Sequence, residues 1–327
     1  MRKVIAIDLG TVNTLVFIPR QGIIFNEPTC IAINEKSNHT YLVGYEASKL
    51  IGRAPQGIKI ISPIQNSVIA DLSATCKFIN AIFRLSKAKS SLNHATLILT
   101  VPSDLTPVQR DVFLSLGKKL GVKKVILENK AKLAAIGADV DINSPKGSMI
   151  VDIGGGTTDV VVLTIGEIVV SKAINFGGLS IDEDIIRYMR VQHHLKIGEK
   201  NAEYIKMKIG SVAEKPENRL LQVSGVNIET SLPHSVIVST SAISQIIKPT
   251  IEHIVDCIRD ILFITPPELA ADIVENGIAI TGGLALLSGI RECLEKSLNV
   301  PVRITSDPLS STIEGCRIGY KDIVKRN

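Results

Sequence analysis

The stretch IAIDLGTVNT at residues 5–14 decides the fold, because the chain returns to the same pattern in IVDIGGGTTD at residues 150–159. In each copy an apolar run ends in an aspartate, Asp8 or Asp152, and a glycine-containing turn leads into a second β-rich run. Apolar runs bounded by glycine turns are typical of buried strands. The sequence therefore contains an internal repeat, which predicts two β-hairpins of one design.

The turns of the two hairpins have the composition of phosphate-binding loops. Glycine permits a positive φ and lets an anion approach the backbone, while consecutive N–H groups and the Thr and Asn side chains supply neutral donors. The aspartates would repel phosphate directly, so we expect Asp8 and Asp152 to hold Mg²⁺ through its water molecules. A single turn of this kind is common hairpin chemistry without a function. Its repetition favours two loops that hold one polyphosphate from opposite sides.

The composition is that of a soluble, globular chain. Its 327 residues are enough for two domains, 45% of them are hydrophobic, and no stretch approaches the roughly 18 apolar residues of a membrane span. The five cysteines are scattered, without the spacing of a disulfide framework or a zinc site. A net charge of +5, no Trp and 4% aromatic residues do not indicate a nucleic-acid binder. We expect a cytoplasmic protein with no nucleic-acid partner.

Capping residues and apolar stripes predict several helices. Thr106, followed by Gln109 at the third helical position, predicts a helix with a capping box. Ser180 and Glu183 have the same spacing and predict a second helix that begins at Ser180. Pro249 precedes a stripe of isoleucines at helical spacing and is expected to open a third.

A third glycine turn lies near the end of the chain. Residues 277–287 have the pattern of a buried strand, a Gly282–Gly283 turn and a helix start, a geometry that aims N–H groups at an anion or a sugar. Helices are also expected at residues 69–85 and at residues 311–325, the latter returning to the first half of the chain. The third turn is expected to form another wall of the phosphate site.

Taken together, these motifs resemble those of the actin, sugar-kinase and heat-shock-chaperone ATPase superfamily. Several segments are similar to its bacterial filament family, MreB, from near residue 1 to about residue 320. The segments that carry the resemblance are DLGTVNTLVF and GIIFNEPTCIAI within residues 8–33, SVIADL at 67–72, TVPSDLTPVQR at 100–110, AAIGA at 134–138, DIGGGTTDVVV at 152–162, IKMKIGSVA at 205–213 and TPPELAADIVENGIAITGGLALLSG at 265–289.

The resemblance implies an α/β, actin-like ATPase fold in which duplicated mixed-sheet domains surround a central nucleotide cleft. It also implies ATP or ADP with Mg²⁺ in the cleft, and polymerisation of the protein with itself into paired protofilaments. The implied division into four subdomains is a domain I core at 1–33, 67–145 and 311–327, a small subdomain at 34–66, a domain II core at 146–180 and 241–310, and a small subdomain at 181–240.

The family's motifs also assign roles to individual residues. The implied nucleotide contacts are Gly10, Thr11, Val12 and Asn13 in the first turn, Gly154, Gly155, Gly156 and Thr157 in the second, Glu203 and Lys206 at the adenosine, and Gly282, Gly283 and Leu284 in the third turn. Asp8 and Asp152 would support Mg²⁺, and Thr158 matches a threonine that assists the attacking water.

Two positions depart from the family pattern. Where the family has a glutamate that positions and deprotonates the attacking water, the helix KAKLAAIG begins with Lys130. An ammonium cannot take a proton from water at neutral pH, and Glu128 is a poor substitute because moving it into place would rotate it by about 200° around the helix. We therefore expect ATP binding with slow hydrolysis, the alternative being that Lys130 faces solvent and another group activates the water. Leu284 replaces a third glycine and is expected to fill space near the nucleotide.

Two other functions of the superfamily are weighed against a cytoskeletal filament protein. A small-molecule kinase would need an acceptor site and larger insertions than residues 34–66 and 201–238. A chaperone would need a peptide-binding domain after the ATPase, and the chain stops at Asn327. The filament protein is the leading interpretation.

Family members often bind membrane through an apolar loop. In this chain the corresponding loop, residues 90–93, offers only Leu92, so direct insertion is expected to be weak. Lys87 and Lys89 would add attraction to anionic lipid at the inner face of the membrane.

Overall fold

The computed structural model describes residues 3–326 and shows an α/β fold. Its strands are β1 (Val4–Leu9), β2 (Asn13–Ile18), β3 (Gly22–Pro28), β4 (Ile31–Asn34), β5 (Thr40–Val43), β6 (Ile58–Ile61), β7 (Ile64–Gln65), β8 (Val68–Ile69), β9 (Thr96–Val101), β10 (Lys124–Asn129), β11 (Ser148–Ile153), β12 (Thr158–Thr164), β13 (Glu167–Ile174), β14 (Leu195–Lys196), β15 (Leu220–Asn227), β16 (Pro233–Ser239), β17 (Ile278–Thr281) and β18 (Val302–Ile304).

The helices lie between these strands and at the end of the chain. They are α1 (Gly44–Ser48), α2 (Leu72–Leu85), α3 (Lys89–Leu92), α4 (Pro107–Leu120), α5 (Lys130–Gly137), α6 (Gly178–His193), α7 (Glu199–Ile209), α8 (Thr240–Ile264), α9 (Pro267–Asn276), a 3₁₀ helix (Gly283–Leu286), α10 (Ile290–Leu298) and α11 (Ser311–Arg326).

Two five-stranded sheets of the same design organise the molecule, in the orders β3-β2-β1-β9-β10 and β13-β12-β11-β17-β18. In both sheets the first three strands are antiparallel, and the last two continue parallel to the third. The second strand carries a bulge in both, at Val16/Phe17 and at Val162/Leu163. The internal repeat of the sequence is therefore a repeat of the sheet, which confirms the two predicted hairpins.

Smaller sheets extend from these two. The order β5-β4-β6 forms one three-stranded sheet, β14-β15-β16 forms another, and β7 pairs with β8. Residues 34–66, which have no clear pattern in the sequence, thus contain short strands and the helix α1. The division into four subdomains stays a prediction.

Helices α5 and α11 pack closely together between the two large sheets. Leu133 of α5 shares an apolar cluster with Ile313 and Cys316 of α11 and with β1, β2 and β9. Ala131, Ala134 and Ala135 of α5 instead pack against β11, β12 and β17 of the second sheet. Because α5 touches both sheets, its first residue, Lys130, is placed between them.

The predicted helix starts have different outcomes. The capping box of α4 is confirmed, since the Thr106 hydroxyl accepts from the Gln109 N–H and the Gln109 side chain accepts from the Thr106 N–H. The start at Ser180 is wrong, because α6 begins at Gly178 and the Ser180 hydroxyl accepts from the Gly177 N–H at 3.3 Å. The earlier start follows from a tertiary contact, in which the first N–H groups of α6 donate to the second glycine turn.

Two further starts are wrong for different reasons. Pro249 does not open a helix but lies inside α8, which is capped by Ser239 through the Ala242 N–H. The buried apolar face of α8 continues on both sides of the proline, and its burial outweighs the lost backbone hydrogen bond. The helix expected from residue 69 begins at Leu72, because Ile69 pairs with Ile64 in a short strand.

The loop at residues 90–93, which corresponds to the family's membrane-binding loop, does not expose its apolar residue to solvent. Residues 89–92 form the short helix α3, and Leu92 is 3% exposed in the core of the first half of the chain. Leu92 is therefore not available for insertion, and the expectation of weak insertion stays a prediction. Leu85, which is 67% exposed, is a nearby apolar side chain at the surface. Within residues 3–326, none of the helices combines the length and the hydropathy needed to cross a bilayer.

Candidate functional site

A cavity of about 520 Å³ opens between the two large sheets and is lined by all three glycine turns. Its volume lies in the range of small-molecule and cofactor sites, about 300–1,000 Å³. The predicted site residues that line it are Asp8, Gly10, Thr11, Val12, Asn13, Lys130, Asp152, Gly154, Gly155, Glu203, Lys206, Gly282, Gly283 and Leu284. Tertiary structure thus brings together residues that are as much as 276 positions apart in the chain.

The first turn is held in shape by hydroxyl groups behind it. The Thr29 hydroxyl donates to the Gly10 carbonyl at 2.7 Å and lies 2.8 Å from the Thr14 hydroxyl. Asp8, at the end of β1, accepts a hydrogen bond from the Thr100 hydroxyl at 2.5 Å. Burial raises the pKa of Asp8, and Lys130 opposes that rise.

The second turn is docked on the start of helix α6. The Gly178 N–H donates to the Gly154 carbonyl at 3.0 Å, and the Leu179 N–H donates to the Gly155 carbonyl at 2.8 Å. Within the turn, the Gly154 N–H donates to the Thr157 carbonyl at 2.9 Å. These bonds fix the loop against the first residues of α6.

The two turns touch each other at one end of the cavity. A Cβ added to Gly156 would lie 2.7 Å from the Thr11 hydroxyl oxygen, and one added to Gly155 would overlap the Val12 side chain. Ser67 completes the contact, since its N–H donates to the Thr11 hydroxyl at 2.9 Å and its own hydroxyl lies 2.8 Å from that of Thr157. Side chains larger than hydrogen at the two glycines would therefore force the sheets apart.

Three predicted residues of the second turn do not line the cavity. Gly156 faces Thr11 and the Asn66 backbone, and the Thr157 hydroxyl is used by Ser67. The Thr158 hydroxyl is fully buried and donates to the Phe176 carbonyl at 2.8 Å. In this conformation Thr158 supports the loop from behind, and its assistance to an attacking water stays a prediction.

Lys130 lies inside the cavity, beside the second turn. Its Nζ is 3.1 Å from Oδ2 of Asp152, and the two side chains are 15% and 4% exposed. Burial alone would lower the pKa of Lys130, but the carboxylates of Asp152 and Asp8 outweigh it and raise the pKa. The alternative in which Lys130 faces solvent is therefore wrong.

Glu128, two residues earlier, does not face the cavity. Its carboxylate accepts from Arg326 of α11 at 3.2 Å. This position agrees with the expectation that Glu128 cannot replace the missing glutamate.

The opposite end of the cavity is built by helices α6 and α7. Lys206 donates to the Asp182 carboxylate and to the Gly178 carbonyl, both at 2.8 Å, while Glu203 is exposed at the rim. Burial raises the pKa of Asp182 to about 6, although Lys206 opposes the shift. Within the described part of the chain, Oδ1 of Asp182 is buried without a hydrogen-bond partner. Lys206 and Asp182 thus give this end of the cavity a polar lining.

The third turn closes the cavity next to Asp152. Gly282 has a φ of +87°, and a Cβ there would lie 2.5 Å from Oδ1 of Asp152. Leu284 is 4% exposed, belongs to the apolar core of the second half of the chain and also lines the cavity. The effect of this leucine on a bound nucleotide stays a prediction.

Other residues that line the cavity were not predicted from the sequence, among them Ser67, Gly178 and Asp182. Ser67 has no local signal, since its role depends on contacts with residues 56 and 90 positions away. Gly178 and Asp182 could have been found from the Gly177–Gly178 pair, which precedes a helix as phosphate-binding glycines do.

Comparisons with known proteins agree on one family. The family model described as MreB/Mbl protein matches residues 2–327. The cell shape-determining protein Mbl of Bacillus cereus is 37% identical over 319 residues, which cover 98% of this chain and 96% of Mbl. These matches bear out the resemblance stated from the sequence.

Solved structures give the same result for the fold. MreB5 of Spiroplasma citri bound to AMPPNP superposes with a TM-score of 0.95 at 36% identity, covering 100% of this chain and 98% of that one. Its ADP-bound form has a TM-score of 0.94 at 36% identity, with the same coverage. A MamK double helical filament matches with a TM-score of 0.82 at 18% identity, over 98% of this chain and 99% of that one. The predicted actin-like fold is confirmed.

Proposed function

This chain belongs to the MreB/Mbl protein family of actin-like cytoskeletal proteins, and from that premise we propose that it binds ATP and ADP in the cavity between its sheets and polymerises into filaments. The observation that carries the proposal is the meeting of two glycine turns, one from each repeat, across a single cavity. Backbone N–H groups from both sides can then hold one polyphosphate. The related MreB5 was crystallised with AMPPNP and with ADP, which supports these ligands. Neither the relatives nor the site favours a kinase.

ATP is proposed to act by holding the two halves of the molecule together. Thr11, Ser67 and Thr157 already form a contact across the cleft, and a phosphate chain between the turns would add further bonds to both sides. A ligand shifts a conformational equilibrium by its difference in affinity for the two states. Closure around ATP would therefore favour the subunit shape that joins a filament.

Paired protofilaments are proposed as the form of the filament, as in the double helical filament of MamK, which shares the fold. Sedimentation of the purified protein with ATP, with ADP and without nucleotide tests assembly, and electron microscopy counts the protofilaments. A pellet that depends on nucleotide is the expected result. Absence of polymer under every nucleotide and salt condition would remove the proposal.

Hydrolysis is proposed to be slow because a lysine occupies the position of the general base. The raised pKa of Lys130 keeps its ammonium protonated at neutral pH, so it cannot accept a proton from water. Loss of general-base assistance costs about 10²–10⁴ in rate, while positioning of the phosphates is retained. Bound ATP should therefore be converted to ADP only slowly.

Phosphate release measures this directly. Wild-type protein should release phosphate slowly, and Lys130→Glu should release it faster. Lys118→Gln, which alters an exposed lysine outside the cavity, is a control for loss of positive charge. A wild-type rate equal to that of a relative with the glutamate, or no gain in Lys130→Glu, would contradict the proposal.

The expectation of Mg²⁺ between Asp8 and Asp152 fits this chain only in part. One of the two carboxylates, that of Asp152, is already paired with Lys130. We therefore assign no step to a metal ion.

Membrane association is proposed to be weak and electrostatic, at the inner face of the membrane. With Leu92 buried, the exposed side chains of this region include Arg84, Leu85, Lys87 and Lys89. Attraction of lysines to anionic lipid is screened by salt. Flotation with anionic vesicles should show binding at low salt that disappears at high salt, and binding to neutral vesicles would contradict this model.

A further inference from the structure

Lys130 and a divalent cation would compete for the same carboxylate. The ammonium lies 3.1 Å from Oδ2 of Asp152, at a place where only 4% of the Asp152 side chain is exposed. Breaking a buried pair of this kind leaves an uncompensated charge and is strongly unfavourable. A divalent ion beside Asp152 would therefore either displace Lys130 or lie against its positive charge.

The position of Lys130 is unfavourable for a positive charge unless neighbouring groups compensate for it. It is the first residue of α5, where the helix dipole disfavours a cation. The carboxylates of Asp152 and Asp8 compensate for this, and Asn129 fixes the helix start by accepting from the Lys132 N–H at 2.8 Å. The lysine is thus held by its partners in one place.

That place is beside the second phosphate turn. A Cβ added to Gly154 would lie 3.8 Å from Nζ of Lys130, so the ammonium borders the loop expected to hold the phosphates. Lysine binds phosphate as a point charge with three donors, and Nζ can contact a carboxylate and a phosphate oxygen together. This is the electrostatic role that a magnesium ion has when it lies between carboxylate and phosphate.

We propose that Lys130 is the built-in cation of the nucleotide site, so that this protein binds ATP and ADP without a divalent metal ion. The proposal rests on the proposed nucleotide binding and deepens it. Lys130 then has two linked effects: it supplies the positive charge that holds the phosphates, and it removes the base that would activate water. The protein then binds nucleotide that carries no metal ion.

The test is calorimetric titration of wild-type protein with ATP and with ADP, in buffer with excess MgCl₂ and in buffer with EDTA. The two dissociation constants should agree within about threefold, because Lys130 supplies the charge in both buffers. An affinity that falls about tenfold or more in EDTA would overturn the inference while leaving the proposed function standing. Absence of binding in both buffers would remove the proposed function, and the inference with it.

Substitution of Lys130 should make nucleotide binding depend on MgCl₂. Lys130→Gln should bind nucleotide about tenfold or more weakly in EDTA than wild type, because a charge-assisted contact with phosphate is lost. It should recover in MgCl₂, because Asp152 is then free to support the ion. Lys118→Gln should behave as wild type in both buffers. Equal affinity of Lys130→Gln and wild type in EDTA would overturn the inference, and the wild-type comparison decides it alone if the variant does not fold.

Discussion

The hydroxyl oxygens of Ser67 and Thr157 lie 2.8 Å apart in a buried contact between residues 90 positions apart in the chain. Ser67 also donates its N–H to Thr11 of the first turn, so a single serine joins the turns of both repeats. The cleft is therefore closed at this end by protein contacts as well as by any nucleotide.

Replacing Ser67 by alanine should loosen this closure. One buried hydrogen bond is worth about 1 kcal/mol, which corresponds to about fivefold in a binding constant. We expect ATP affinity to fall by about that factor and the melting temperature by about 2–4 °C. Calorimetry and thermal melts measure both, with the exposed Ser37→Ala as control. Unchanged affinity would mean that the contact does not contribute to closure.

Gly155 should tolerate a side chain only if Val12 becomes smaller. A Cβ at Gly155 overlaps Cγ2 of Val12, so Gly155→Ala separates the two turns. We expect an affinity loss of about tenfold or more, since misplaced donors lose their bonds to phosphate. The double variant Val12→Ala with Gly155→Ala should regain part of the affinity. No recovery would show that the glycine is needed for contact with the ligand itself.

Alanine substitutions at the neighbouring Gly282 and Gly283 should destabilise the protein to different extents. At Gly282, with a φ of +87°, a Cβ would meet the Ile153 backbone and Asp152, so Gly282→Ala should destabilise the protein by about 1–3 kcal/mol. At Gly283 the nearest atom to a Cβ is Cδ2 of Leu309 at 3.7 Å, so Gly283→Ala should cost less than about 1 kcal/mol. Thermal melts of the two variants provide the comparison, and equal losses would contradict the assigned backbone geometry.

The stability of the protein should depend on the protonation of Asp159. This residue is 2% exposed, Oδ1 accepts from the Ser103 N–H at 3.1 Å, and among the described residues Oδ2 has no partner. Burial raises the pKa of Asp159 from 3.8 to about 6. Because the folded-state pKa is the higher one, the stabilisation from the bound proton is present below pH 3.8 and is lost as the pH rises through about 6.

Asp159→Asn should remove this dependence, since an amide does not titrate. The melting temperature of the variant relative to wild type should rise across that pH window, by the equivalent of about 3 kcal/mol at neutral pH. Melts of both proteins on either side of the window give the difference, with the exposed Asp111→Asn as control. A difference that is constant with pH would show that Asp159 titrates normally in the folded protein.

The sequence by itself determined the parts of this protein that depend on local pattern. Apolar runs and glycine turns repeated around Asp8 and Asp152 predicted the duplicated hairpins, and the resemblance of one short helix to the family's motif placed Lys130 where the family has a glutamate. These signals lie within a few residues of each other, where turn chemistry and hydrophobic period decide the structure.

Tertiary structure alone decided where each side chain is directed. The pairing of Lys130 with Asp152, the bridge through Ser67 and the inward-facing hydroxyl of Thr158 all depend on residues distant in the chain. The same cause moved the start of α6 away from Ser180, and the burial of both halves of α8 carried that helix through Pro249. These outcomes follow from the packing of two whole sheets against α5 and α11. The packing energy is summed over many residues, so no short segment of the sequence determines it.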